Sequence, residues 1–194
     1  MAKIYLIRHG ESIYNATGIC QGHKAIPLSK KGITQSRKLS ESLKDMRFEK
    51  IYSSDLTRAI ETAKIISENQ NAPVSISEDL REFGKGVGEG YSHDFLTRNF
   101  GKIKDKDYTK AGGEDKGIVR ERVENFLKSL RIKKDGKIAI VTHGGVKKTI
   151  FEIMGLMDWK DMEDIRMENT GVSIIEIKDG KASLISLNSS AHLG

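Results

Sequence analysis

Two histidines in this chain stand where apolar runs stop. Ile4-Tyr5-Leu6-Ile7 leads into Arg8-His9-Gly10, and Ile138-Ala139-Ile140-Val141 leads into Thr142-His143-Gly144-Gly145. A short unbroken apolar run reads as a strand buried on both faces of a parallel sheet. The glycine that follows lets the backbone turn away sharply. Each histidine therefore falls at the carboxyl end of a strand, where ligands bind in open α/β sheets. Side by side, the two strands would gather two imidazoles and the Arg8 guanidinium. Such a set repels a metal cation. It suits a dianion such as a phosphoryl group, which arginine can grip through two parallel hydrogen bonds.

The elements that must position these groups follow in order. Ser29 reads as the N-cap of a helix carrying Ile33, Leu39, Leu43 and Met46. Ile51-Tyr52-Ser53 is a second strand. Ser54 or Asp55 would cap a helix with Leu56, Ala59, Ile60, Ala63 and Ile65-Ile66. Pro73 ends a loop before a third strand, Val74-Ser75-Ile76. This alternation of strand and helix implies parallel crossovers. A helix with Ile118, Val119, Val123, Phe126, Leu127 and Leu130 precedes the second histidine strand, and Val146 to Met154 follows it as a helix ended by Gly155. Val172 to Ile177 and Ala182 to Leu187 alternate as strands around a hairpin turn, Lys178-Asp179-Gly180-Lys181, so one strand of the sheet runs antiparallel. The expected fold is α/β: a three-layer sandwich with a mostly parallel central sheet, helices on both faces and a lid insertion. The last few residues are expected to fray.

The insertion spans about residues 84–116, where glycines mix with charges and the strand–helix rhythm breaks. It reads as a lid over the site. Gly84 to Gly90 is no dinucleotide fingerprint, because the sixth place lacks glycine. Asp105 to Lys116 is no calcium loop, because Lys110 and Lys116 replace the obligatory Gly and Glu.

The whole chain of 194 residues, 37% hydrophobic and 31% charged, is long enough for one well-cored domain. Its net charge of +6 does not make it a nucleic-acid binder, because the lysines are scattered among acids and only 6% of residues are aromatic. No apolar run reaches the roughly 18 residues of a membrane span, and the start shows no signal peptide. One cysteine, Cys20, fits a reducing compartment. A cytoplasmic protein, monomer or homodimer, is expected, with no nucleic-acid or membrane partner. Trp159 with Met154, Met157 and Met162 reads as core packing rather than a subunit contact.

The motif Leu6-Ile7-Arg8-His9-Gly10-Glu11-Ser12 with Asn15 resembles the signature of the histidine phosphatase (phosphoglycerate-mutase-like) superfamily. The resemblance continues in order. It runs through Gln21-Gly22 with Pro27-Leu28-Ser29 and Gly32, then Ser53-Ser54-Asp55-Leu56-Thr57-Arg58-Ala59 with Glu61-Thr62-Ala63. Leu80-Arg81-Glu82-Phe83-Gly84, Gly112-Gly113-Glu114, Thr142-His143-Gly144-Gly145 and Asn169-Thr170-Gly171 complete it. It implies that His9 is the nucleophile and takes the phosphoryl group as a phosphohistidine. Arg8, Arg58 and His143 would clamp the non-bridging oxygens and keep His9 neutral. Asn15, Gln21 and the backbone N–H groups of Gly22 and Gly144 would bind phosphate oxygens. Glu82 would protonate the leaving oxygen and then activate water, its proton favoured by burial under the lid. Glu11, Glu89 and Glu114 are the rival carboxylates; Glu11 follows the nucleophile too closely and would orient the loop.

No metal and no cofactor are implied. The substrate implied is a small phosphorylated metabolite, a phosphomonoester. Phosphoglycerate mutases resemble the chain around His9. They differ at Cys20-Gln21-Gly22-His23 and carry a longer Arg- and Tyr-rich segment where this chain has Phe83-Gly84-Lys85. A short glycine-rich lid should admit water, so hydrolysis is expected, as in broad-specificity or α-ribazole phosphatases. The alternatives are a cofactor-dependent phosphoglycerate mutase or a protein-phosphohistidine phosphatase. Tyr91, Phe95, Phe100 and Tyr108 are the lid side chains expected to set specificity.

Overall fold

A computed structural model of the protein describes every residue except 102, 104 and 105. The Asp105 position of the rejected calcium loop thus lies outside the described residues. Six strands form one mixed sheet: β1 (Ala2–Arg8), β2 (Lys50–Ser54), β3 (Val74–Ser77), β4 (Lys137–Thr142), β5 (Val172–Lys178) and β6 (Lys181–Ser189). Their order is β3-β2-β4-β1-β5-β6. β1 pairs in parallel with β4, β4 with β2 and β2 with β3, while β5 runs antiparallel to both β1 and β6. One strand therefore opposes the rest, as the hairpin turn required. Asp179 and Gly180 both take positive φ there, 50° and 76°.

Helices cover both faces because strand side chains alternate. On one face Ile4, Leu6, Ile138 and Ile140 meet Val119, Val123 and Phe126 of α5 (Lys116–Ser129) and Val146, Ile150 and Phe151 of α6 (Gly144–Ile153). On the other, Tyr5, Ile7, Ala139 and Val141 meet Leu39 of α2 (Lys30–Ser42) and Ala59, Ala63 and Ile66 of α3 (Thr57–Gln70). Ile4, Leu6 and Ile7 are at most 1% exposed, and burying each contributes roughly 1.5–3 kcal/mol. Trp159 and Met162 are core residues. No helix among the described residues is long and apolar enough to cross a membrane.

Four details differ from expectation. The loop after His9 contains a short helix, α1 (Ile13–Thr17), whose N-cap Ser12 forms a reciprocal capping box with Asn15. α3 begins at an N-cap, Leu56, that makes no side-chain cap. Ser54 Oγ instead accepts from Leu56 N–H at 3.3 Å, and Asp55 is taken by Arg81, whose Nε donates to it at 2.8 Å. The lid region holds a helix, α4 (His93–Phe100), and short 3₁₀ turns. The C-terminus does not fray: Ala191–Leu193 forms a turn tied down by Lys38 Nζ, which donates to Leu193 O at 3.0 Å.

Candidate active site

Parallel pairing of β1 and β4 sets the site. Arg8 lies opposite Thr142 in register, so His9 and His143 leave the sheet together. Their ring centroids are 5.0 Å apart, and the residues are 2% and 0% exposed. Each takes one tautomer. His9 Nδ1–H donates to Gly10 O at 2.6 Å, which leaves the Nε2 lone pair free. His143 Nδ1 accepts from Arg58 Nε at 3.3 Å, and its Nε2–H donates to Ser54 Oγ at 3.0 Å. Burial, then Arg58, holds both imidazoles well below the usual histidine range, so both are neutral at pH 7.

Arg58 reaches this point from the first turn of α3. It is 1% exposed. Its Nη2 donates to Gly22 O at 2.9 Å and its Nη1 to Lys24 O at 3.1 Å. Gly22 thus contributes its carbonyl to holding Arg58. Its φ of +48° favours glycine there, and a Cβ would displace the Glu89 carboxylate, which lies 2.0 Å from where it would stand. Burial lowers Arg58 to about 10, so it stays charged in neutral solution. Arg8 donates from Nη1 to Met167 O. Its buried Nε is the one such side-chain nitrogen or oxygen without a hydrogen-bond partner among the described residues.

Asn15 and Gln21 stand beside this cage with their acceptors occupied. Asn15 Oδ1 accepts from Ser12 N–H at 3.1 Å and from Asn169 Nδ2 at 3.3 Å, and Gln21 Oε1 accepts from Ser12 Oγ at 2.6 Å. That orientation leaves the NH₂ of each amide as the group that can meet an anion. Gly144 opens α6, where helix geometry leaves its N–H without an internal partner. Arginines and amide donors converging on a neutral imidazole with a free lone pair are equipped to receive a phosphoryl group.

A sequence profile described as the histidine phosphatase superfamily (branch 1) matches residues 4–190. The chain belongs to the histidine phosphatase superfamily. It is 32% identical to the adenosylcobalamin/alpha-ribazole phosphatase of Salmonella typhimurium, covering 97% of each protein. It is also 32% identical to phosphoglycerate mutase-like protein 4 of Arabidopsis thaliana, over 92% of this chain and 81% of that one. The crystal structure of phosphoserine phosphatase from Entamoeba histolytica, solved with 3-phosphoglyceric acid, superposes with a TM-score of 0.82 over all of both chains at 28% identity.

In this histidine phosphatase the four carboxylates separate by environment. Glu82 lines the cleft beside the cage together with Arg8, Gly144 and Gly145. Its carboxylate accepts from Gly145 N–H at 3.2 Å and Phe83 N–H at 3.0 Å. A Cβ at position 145 would lie 2.4 Å from Glu82 Oε1, so glycine permits this approach. The rivals are occupied elsewhere. Glu11 accepts from Ser29 Oγ at 2.8 Å and pairs with Lys31 at 3.0 Å, which orients the loop. Glu89 accepts from His23 N–H at 2.9 Å and Lys85 N–H at 3.0 Å. Glu114 accepts from Gly84 N–H at 2.7 Å and Arg122 Nη2 at 3.0 Å. Its bonds to His23 and Arg122 outweigh burial and hold it down to about 2.

Several neighbours to which the sequence assigned no role support the site. Arg122 Nη2 and His23 Nε2 donate to Glu82 O at 3.1 and 2.7 Å, and Thr142 Oγ1 donates to Leu80 O at 2.8 Å. These bonds fix the backbone that carries Glu82. Lys147 is wholly buried and donates from Nζ to Gly171 O at 2.7 Å, the carbonyl that also accepts Arg8 N–H at 3.2 Å. A signal for Lys147 existed: it shares the apolar stripe with Ile150 and Phe151 at i+3 and i+4. Of the four expected lid side chains, only Tyr108 lines the cleft. Tyr91 is 51% exposed and stacks on Phe95, and Phe100 packs on the core.

Proposed function

We propose that this protein hydrolyses small phosphomonoesters through a phosphohistidine on His9. The observation that carries the reading is the tautomer of His9. Its Nδ1–H is tied to the Gly10 carbonyl, so a neutral Nε2 lone pair lies beside two arginines. In the first step Nε2 attacks phosphorus, the ester P–O bond breaks, and protonated Glu82 delivers its proton to the leaving oxygen. Arg8, Arg58 and the amides of Asn15 and Gln21 hold the non-bridging oxygens, with His143 beside them. In the second step water gives a proton to Glu82 and attacks phosphorus. The N–P bond breaks, releasing orthophosphate and neutral His9. Arginines take the charge-stabilising role that a metal would otherwise fill.

The test is phosphate release from an aromatic phosphate ester in the presence of a chelator, with acid-labile, base-stable labelling of the protein by radioactive phosphate. Turnover that His9→Ala lowers by at least ~10³-fold, with loss of the label, supports the reading. Turnover that survives in His9→Ala removes the nucleophile. Interconversion of phosphoglycerates without net phosphate release would favour the mutase alternative.

A further inference from the structure

The cleft that opens from the cage has a volume of about 340 Å³. At ~30 Å³ per water-sized group it holds on the order of ten heavy atoms, the size of a small leaving group. Three lysines line it: Lys85 from the start of the lid, Lys106 from the lid, and Lys148 from α6. Among the described residues none of the three lies within ion-pair distance of a carboxylate. Burial lowers Lys85 and Lys148, and Lys106 lowers both, against the raising effect of Cys20 and Glu82 on Lys85 and of Glu163, Asp164 and Glu82 on Lys148. His93 is likewise lowered by burial and then by Lys85 and Lys106. Five cations, Arg8, Lys85, Lys106, Lys148 and Arg166, thus line the cleft against three carboxylates, Glu82, Glu163 and Asp164, and this excess of positive charge favours an added anion.

Two of these ammonium groups are held in place. Lys85 Nζ lies over the Tyr108 ring, 5.5 Å from its centroid. Lys148 Nζ donates to the carbonyls of Met162 and Glu163, the latter at 3.1 Å. Three acids line this cleft: Glu82 at the cage end, and Glu163 and Asp164 exposed on its rim. Preorganised cations lose little freedom when a ligand arrives.

We propose that this cleft selects phosphomonoesters whose leaving group carries a second anionic group, a carboxylate or a phosphate, bound by Lys85 and Lys148. As a statement about substrates it rests on the phosphatase reading; as a statement about binding it does not.

Calorimetric titration with three hydrolysis-resistant phosphonates separates the two. The probes are propylphosphonate, 3-phosphonopropionate and propane-1,3-bisphosphonate. The carboxylated or the doubly phosphonated compound should bind at least ~10-fold more tightly than propylphosphonate, as expected for a charge-assisted contact. Which of them does so identifies the second anion. Lys148→Gln and Lys85→Gln should each cut that preference several-fold. Equal affinity for all three probes in the unaltered protein overturns the proposal and needs no variant to fold. A preference that persists unchanged in both variants overturns the assignment to these lysines. Hydrolysis of the aromatic ester is measured alongside. Preference without turnover removes the phosphatase reading alone, and turnover without preference removes the subsite alone.

Discussion

Arg58 Nε donates to His143 Nδ1 across 3.3 Å, a bond that an imidazolium could not accept. The same guanidinium holds the Gly22 and Lys24 carbonyls, so one side chain from α3 joins the loop after His9 to the end of β4. Arg58→Lys keeps the charge and loses the fork. It should lower kcat/KM on an aromatic phosphate ester by about 10²–10³-fold, as loss of a charge-stabilising donor does. A variant within threefold of the original would show that charge alone suffices.

The histidines should titrate in two groups. Burial and the arginines hold His9 and His143 well below the usual range, whereas the bond to Glu114 raises His23. Ring NMR of the ligand-free protein should show His23 gaining its proton above about pH 6.5, with His9 and His143 still neutral there. A His9 midpoint at or above that value would contradict a neutral nucleophile.

Gly145→Ala places a methyl group 2.4 Å from Glu82 Oε1 and 2.7 Å from the Phe83 ring. One of them must move. The expected result is a stability loss of about 1–3 kcal/mol in urea unfolding. Turnover of esters with poor leaving groups should fall more than turnover of aromatic ones, because only the former depend strongly on the acid. Equal losses on both would separate Gly145 from proton delivery.

Glu114 ties the lid base to Arg122 and His23. Its folded value of about 2 lies below its ordinary 4.5. The stability it contributes is therefore present above about pH 4.5 and is lost as pH falls through about 2. Allowing for partial exposure, that amounts to about 1–2 kcal/mol. Glu114→Gln should lower Tm at pH 7 by roughly 3–6 °C, and the gap should close toward pH 2. A gap independent of pH would mean that charge plays no part.

Lys147 also titrates below its ordinary value, but at pH 7 its shift costs stability where that of Glu114 contributes it. Burial, then Arg8, lowers it to about 7 from an ordinary 10.5. Between those values the unfolded chain binds the extra proton, so this group makes stability rise with pH from about 7 to 10.5. Lys147→Met removes that slope. Relative to the original protein it should be more stable at pH 7 than at pH 10, by on the order of 2–4 kcal/mol. Parallel stability curves would sink the assignment.

The sequence by itself determined the sheet, the helices on its two faces and the residues that gather at its edge. Apolar runs, N-caps such as Ser29 and the Asp179-Gly180 turn are local signals, and local signals act through backbone preference and solvent exclusion. The fold class was legible for that reason, and the superfamily through the resemblance of motifs such as Leu6-Ile7-Arg8-His9-Gly10-Glu11-Ser12. What only the tertiary structure decided was occupancy. Four carboxylates could have faced the leaving group, and in the fold Glu11, Glu89 and Glu114 are each held by other partners, among them Lys31, His23 and Arg122. The expected N-cap at Ser54 or Asp55 moves to Leu56, because Ser54 Oγ accepts from the nearby Leu56 N–H and Asp55 is held by Arg81 from across the fold. The tautomers of His9 and His143, the buried amine of Lys147 and the lysines of the cleft likewise depend on which groups meet across the fold. Hydrogen bonds and charges act over a few ångströms in space, and a linear pattern does not record that distance.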